Sequence, residues 1–343
     1  MNVLVTGHLG YIGTILTPML LARGHRVTGF DSDLYERSTY GPVGAIANVP
    51  NIRKDIRDAT VDDVRGFDAI LHLAGLSNDP LGDFNPDLTY DINHRASVRL
   101  AELAKMAGVG RFIFSSSCSN YGAGGNDLLD EGASFNPVTP YGESKVMVER
   151  DVGTMASDDF SPVFLRNATA YGVSPRLRFD LVLNNLTAWA FTTRKVMLKS
   201  DGTPWRPIVH IEDISRAFIA TLEAPRGQVH NEAFNVGATS ENYRIRDLAL
   251  IVKDTIPQAD VTFAQGASPD KRNYRANCDK YCTRFPQWAP KWTARAAAAD
   301  LRDSFSRVGI TLDDFEGPRF KRIAHIKMLL DSKVLGPDFR FRA

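Results

Sequence analysis

Val3-Leu4-Val5-Thr6-Gly7-His8-Leu9-Gly10-Tyr11-Ile12-Gly13 is the stretch that decides the fold. A short β-branched run, Val3 to Thr6, opens directly into a glycine-rich turn. Behind it Ile15, Leu16, Met19, Leu20 and Leu21 recur at helical spacing until Gly24 stops the helix. Arg26 to Phe30 then reads as a second strand that ends at Asp31. In such a strand–turn–helix–strand unit one glycine makes the tight turn. A second lets the backbone approach a pyrophosphate, and a third lets the helix pack close to the strand. The helix N-terminus then faces the phosphates with unpaired N–H groups and a positive dipole end. Gly7, Gly10, Tyr11, Ile12 and Gly13 are therefore the expected dinucleotide contacts of this loop.

Asp31 selects the dinucleotide. A carboxylate at that strand end accepts hydrogen bonds from the adenosine ribose hydroxyls and repels a 2′-phosphate. The next residues are Ser32 and Asp33 rather than an arginine, so the pattern favours NAD over NADP.

Outward from this unit the alternation of strand and helix continues. Ile52 lies in a short strand before Asp55 and Ile56, which are placed to flank an adenine ring. Ala69 to Ala74 is an apolar strand running into Gly75, so Leu73, Ala74 and Gly75 are further expected cofactor contacts. A helix is expected from about Leu88 to Ala107 and a strand from Arg111 to Ser115. This order implies an α/β fold, a Rossmann-type doubly wound parallel sheet with ligands at the carboxyl ends of its strands.

Bulk properties agree with such a fold. The chain has 343 residues, 43% hydrophobic and 24% charged, the balance of a globular protein able to bury a core without staples. A formal net charge of +1 favours neither nucleic acid nor an anionic membrane as a partner. The three cysteines, Cys118, Cys278 and Cys282, form no disulfide framework and suggest a reducing compartment. Cys278 and Cys282 lack a second Cys/His pair, so no metal is expected. With no run of about 18 apolar residues and no leader, the expectation is a cytoplasmic protein.

The chemistry is read from two later segments. The fifth strand runs out into Ser115-Ser116-Ser117-Cys118-Ser119, and Tyr141-Gly142-Glu143-Ser144-Lys145 follows. On a helix Tyr141 and Lys145 share a face. A free phenol, with a pKa of about 10, is a poor base at neutral pH. A nearby ammonium and the positive nicotinamide ring both stabilise its phenolate. Lowering that pKa by about three units takes roughly 4 kcal/mol of differential interaction. With Ser117 orienting the same oxygen, the group is suited to take a proton from a sugar-like hydroxyl while hydride passes to NAD.

The glycine loop, Leu71-His72-Leu73-Ala74-Gly75, the Phe114 to Gly122 serine run and the Tyr141 to Lys145 helix occur in order. In these motifs the chain resembles the extended short-chain dehydrogenase/reductase family, the NAD-dependent epimerases and dehydratases of nucleotide sugars, over about residues 1–290. The resemblance implies Ser117, Tyr141 and Lys145 as the catalytic trio, Asn93 as a cofactor support, and a smaller α/β carboxy-terminal substrate domain. Residues 1–165, with returning segments near 206–236, would hold NAD. Residues 166–205 and 237–343 would hold the nucleotide sugar. By the same resemblance Asn185 contacts the diphosphate, Arg206 lies near the phosphate or base, Ser77 lines the sugar pocket, and the protein is a homodimer.

Two positions depart from the family pattern. Thr169 stands where an asparagine is usual, and Ala267 where an arginine is usual. Lys271 or Arg272 can compensate for the latter, since basic side chains pair with phosphate oxygens; Arg176 and Arg178 are further candidates. Asp213 is expected to anchor a helix start. The family's 4,6-dehydratases place an Asp-Glu pair after the catalytic hydroxyl residue, and here Cys118 and Ser119 stand there. The serine run most resembles UDP-galactose 4-epimerases. Epimerisation at carbon 4 through a transient keto sugar is the leading reading. A keto-sugar reductase or dehydratase, and a catalytically silent NAD-binding protein, stay open. The basic, apolar-spaced residues around Phe320 to Leu329 suggest an amphipathic helix packed on the body or on a second subunit.

Overall fold

The computed structural model describes residues 1–42, 44–77, 79–198, 200–263 and 272–342, with the backbone only for 79–81. The opening unit forms as its sequence dictates: strand β1 is Asn2–Thr6, helix α1 is Gly13–Ala22 and strand β2 is Arg26–Phe30. Gly7 holds φ at +72°, a backbone region that other residues rarely enter. A Cβ on Gly13 would lie 2.4 Å from the Gly7 carbonyl oxygen, so the helix reaches the loop only because that carbon is missing.

Strands β3 (Asn51–Ile52), β4 (Ala69–His72) and β5 (Arg111–Ser117) extend the sheet. With Ser161–Asn167 and Glu232–Val236 it has seven strands in the spatial order β3-β2-β1-β4-β5, Ser161–Asn167, Glu232–Val236. Every pairing is parallel. The order reverses between β1 and β4, the switch point at which a doubly wound sheet opens a crevice at its carboxyl edge. One face is covered by α1 and the helix Ile211–Glu223, through Leu16, Leu20, Ile214 and Phe218. The other is covered by Leu100, Val148 and Val152.

A second core lies under the carboxyl edge. Leu183, Leu186, Val252, Leu301 and Phe305 join the helices Val182–Thr193, Ile245–Thr255 and Ala294–Val308. Trp205–His210 sits with Thr169–Tyr171 and Asn242–Arg244 in a separate three-stranded sheet. The return to the large sheet expected near 206–236 thus comes from the helix Ile211–Glu223 and the strand Glu232–Val236. The terminal amphipathic helix is Arg322–Asp331, and its Ile326 and Leu329 pack into the core of the large sheet's second face. Among the described residues no helix is long and apolar enough to cross a membrane.

The helix expected from Leu88 to Ala107 forms, but not as one regular helix. Pro86–Tyr90 and Ala96–Met106 are joined by a π-helical turn over Asp91–Arg95. The widened turn carries Asn93, which is fully buried and aimed at the loop after β4.

Candidate active site

At the carboxyl edge of the sheet lies a cavity of about 1000 Å3, bounded by the glycine loop, the ends of β2, β4 and β5, and the second core. Its size is at the upper end of ligand pockets. The geometry is assembled from short local devices.

Ser117 ends β5 in extended conformation, and its Oγ accepts the Ser119 N–H at 3.1 Å, capping the 3-10 turn Cys118–Tyr121. The helix Pro140–Gly153 begins with Thr139 as cap, whose Oγ1 accepts the Gly142 N–H at 3.2 Å, and with Pro140 in its first turn. Tyr141 falls in the first turn and Lys145 one turn later, so both face the cavity that Ser117 also lines. The Lys145 Nζ donates to the Ser115 carbonyl at 2.8 Å and stands 4.4 Å from the Phe114 ring centroid and 5.7 Å from that of Tyr141. Burial pulls its pKa down to about 7, against the opposing pull of Glu149.

Beneath this group is a buried ion pair. Arg166 Nη2 reaches Glu149 at 2.7 Å, and both side chains are buried. Asn120 Nδ2 donates to the same carboxylate at 3.0 Å, and Ser116 Oγ donates to it at 2.5 Å. Arg166 also donates to the Tyr121 hydroxyl at 3.1 Å. The network ties the strand end carrying Ser117 to the helix carrying Tyr141 and Lys145. Lys145 and Glu149 lie four apart, a spacing visible in the sequence; the meeting of Glu149 with Arg166 is not.

The structure brings most of the residues expected to meet the cofactor to the cavity wall. Gly7, Gly10, Tyr11, Ile12, Gly13, Asp31, Asp55, Ile56, Leu73, Ala74 and Gly75 all line the cavity. Asp31 accepts the Leu9 N–H at 3.0 Å and the Asp33 N–H at 2.8 Å through different oxygens, which fixes the carboxylate at the groove wall. Asp55 is paired with Arg57 at 2.7 Å. Asn93 does not itself line the cavity and supports it from behind. Its Oδ1 accepts the Leu76 N–H at 2.7 Å and its Nδ2 donates to the Leu76 carbonyl at 2.9 Å, so it shapes the loop beside the cofactor groove rather than touching it. These residues fit a dinucleotide: the wall runs from a fixed carboxylate, past a loop of close-approach glycines, to the Tyr141–Lys145 pair.

On the substrate side Ser77, Asn185, Arg206, Arg272 and Thr169 all line the cavity. Asn185 is oriented by donation to the Phe179 carbonyl at 2.8 Å. Arg206 donates to the carbonyls of Trp205, at 2.8 Å, and of Arg272. Arg178 joins Asp180 at 2.6 Å and Ser77 Oγ at 2.9 Å, a meeting that local sequence does not announce. Arg176 is withdrawn as a phosphate ligand. Its guanidinium is committed to Asp33 at 2.9 Å, Thr39 at 2.8 Å and the Leu9 and Glu36 carbonyls, where it braces the loop after β2. Asp213 is not the helix cap either. His210 Nδ1 takes that place by accepting the Glu212 N–H at 3.1 Å, while Asp213 accepts the N–H groups of Lys291 and Trp292. Ala267 and Lys271 lie outside the described residues.

The fold and this site define a class. The chain belongs to the NAD-dependent epimerase/dehydratase family, whose model matches residues 3–237, and its cofactor is NAD. It is similar to UDP-glucose 4-epimerase 4 of Oryza sativa subsp. japonica, 31% identical, with 84% of this chain and 90% of that protein covered. It is also similar to a UDP-glucose 4-epimerase of Neisseria meningitidis, 28% identical, with 69% and 77% covered. Among solved structures it resembles the UDP-glucuronic acid 4-epimerase of Bacillus cereus, crystallised with UDP-glucuronic acid and NAD, with a TM-score of 0.77, 25% identity and 90% and 99% coverage. An NAD-dependent NDP-hexosamine 5,6-dehydratase of tunicamycin biosynthesis shares the fold, with a TM-score of 0.79, 23% identity and 91% and 99% coverage.

Proposed function

We propose that the protein epimerises a nucleotide-diphosphate sugar at carbon 4 through a transient keto sugar. Bound NAD supplies a hydride acceptor that can return what it takes. Tyr141 is the group that removes the proton from the sugar hydroxyl and later gives it back. Ser117 holds the same oxygen in line, and the Lys145 ammonium favours the phenolate form of Tyr141. Asn185, Arg206 and Arg272 hold the diphosphate and nucleoside, leaving the sugar able to present either face.

One observation carries the choice of epimerisation over dehydration. Elimination of water needs an added acid and base beside the hydroxyl residue, and the position after Ser117 is Cys118, fully buried and donating to the Arg166 carbonyl at 3.1 Å. Burial pushes its thiol far above the usual range, so it stays protonated and inert. Ser119 lines the cavity but has no carboxyl group. The test is a panel of UDP-, dTDP-, GDP- and CDP-sugars with NMR of the product. A C4 epimer, with no steady change in nicotinamide absorbance, supports the proposal. A deoxy-keto sugar, or steady consumption of NADH or NADPH, overturns it.

A further inference from the structure

The carboxy-terminal segment reaches back to the cofactor side of the cavity and brings a buried cation with it. Arg322 opens the helix Arg322–Asp331, lines the cavity and is only 8% exposed. Its guanidinium lies 3.6 Å from the ring centroid of Tyr35, in the loop that follows Asp31. Among the described residues no carboxylate stands within ion-pairing range of it. The nearby Asp180 is taken by Arg178, and the neighbouring Lys321 is taken by Glu316 at 2.7 Å. Burial presses the Arg322 guanidinium toward its neutral form and Arg178 adds to that pressure, while Tyr35, whose hydroxyl it meets in a hydrogen bond, and the nearby Asp180 pull the other way. A buried arginine is costly unless an anion meets it. The helix makes the cost larger, because its first turn contains no acidic residue while two cations, Lys321 and Arg322, stand at its positive end.

The rest of the segment is anchored around the adenosine end of the groove. His325 makes a 3.2 Å hydrogen bond with the Leu34 carbonyl. Arg57, the partner of Asp55, donates to the Asp338 carbonyl at 2.8 Å, and Arg340 pairs with Asp58. Phe339 stacks on Phe84 and also lines the cavity. The segment therefore bridges the two loops that carry Asp31 and Asp55.

We propose that Arg322 binds a diphosphate in this cavity, that of NAD, and that the carboxy-terminal segment thereby retains the cofactor. The choice of NAD over the nucleotide sugar rests on place: Tyr35 and Leu34 belong to the cofactor loop, whereas Asn185, Arg206 and Arg272 stand on the other lobe. The inference depends on the dinucleotide groove and is independent of which reaction the enzyme performs.

The test compares the full-length protein with Arg322→Ala and Arg322→Lys, each checked for a cooperative melting transition. NAD, ADP-ribose and adenosine are titrated into cofactor-stripped protein, and the KM for the nucleotide sugar is measured at saturating NAD. Loss of a charge-assisted contact should weaken NAD and ADP-ribose binding by about ten- to a hundredfold. Adenosine affinity and the sugar KM should be unchanged, and Arg322→Lys should recover part of the loss. Equal weakening of adenosine would reduce Arg322 to a packing role and overturn the proposal. A raised sugar KM with NAD affinity intact would assign the arginine to the substrate diphosphate and overturn it equally. If Arg322→Ala fails to fold, the comparison of adenosine with ADP-ribose in Arg322→Lys decides by the same criterion.

Discussion

Lys145 and Ser115 are joined by a 2.8 Å hydrogen bond from the ammonium to the main-chain carbonyl, at a depth where the amine's pKa falls to about 7. A lysine held this way is a charge kept near its switching point beside Tyr141. It is also a burden on the fold.

Lys145→Met should therefore separate function from stability. The unfolded chain holds the lysine proton up to about pH 10.4, whereas the folded protein gives it up near pH 7. Between those values the unfolded state binds more protons, so wild-type stability rises with pH, and below pH 7 the whole cost of the buried cation is present. In NAD-free protein, melting curves should show the methionine variant's advantage largest at pH 6 to 7 and shrinking toward pH 10. Turnover should fall by a factor of about a hundred or more. A variant that is less stable at pH 6.5 than at pH 9.5, relative to wild type, would contradict this reading.

Tyr141→Phe removes only a hydroxyl from a helix whose start is set by Thr139 and Pro140. Turnover should drop by about 10²- to 10⁴-fold, while melting temperature and NAD content after purification stay as in the wild type. Retained turnover would move the acid/base role to another residue.

Glu149 and Arg166 form a buried pair. Glu149→Leu leaves the guanidinium uncompensated and should lower the unfolding free energy in urea by about 3–5 kcal/mol. Adding Arg166→Met should recover most of that loss, because two apolar side chains can replace a buried pair. The double variant should still turn over less well, since the strand end carrying Ser117 loses its tether to the helix. A double variant as unstable as the single one would show that the network, not the lone charge, sets the cost.

Asp31 is fixed by two main-chain N–H groups and presents its charge to the groove. Asp31→Asn should bring the ratio of NADP to NAD dissociation constants at least about tenfold closer to unity, read by fluorescence titration. An unchanged ratio would place cofactor discrimination elsewhere, with Asp33 as the nearest alternative.

Much of this molecule was legible because its signals are local. The β1–α1–β2 unit needs only a glycine loop between two periodic segments, and Tyr141 and Lys145 need only helical spacing. That Asn93 would act through Leu76 was not legible, because it sits in a π turn that no periodicity announces. Asp213 misled because a histidine three residues earlier caps the helix, while the carboxylate answers a loop near residue 291. Arg322 was out of reach for another reason: its helix meets the cofactor loop through His325 and Leu34, 291 residues apart. A pair of basic residues at the start of a helix was the only trace, and it reads as a polar face until the fold brings it to the cavity.

The most direct test of the central claim, that NAD here is a resident hydride store, uses a nucleotide sugar deuterated at carbon 4. Product is followed by NMR in ordinary water with no added cofactor. The account expects the inverted sugar to carry the deuterium still at carbon 4, with the enzyme's NAD unchanged at the end. Loss of the label to solvent, or reduced cofactor accumulating in step with product, would contradict it.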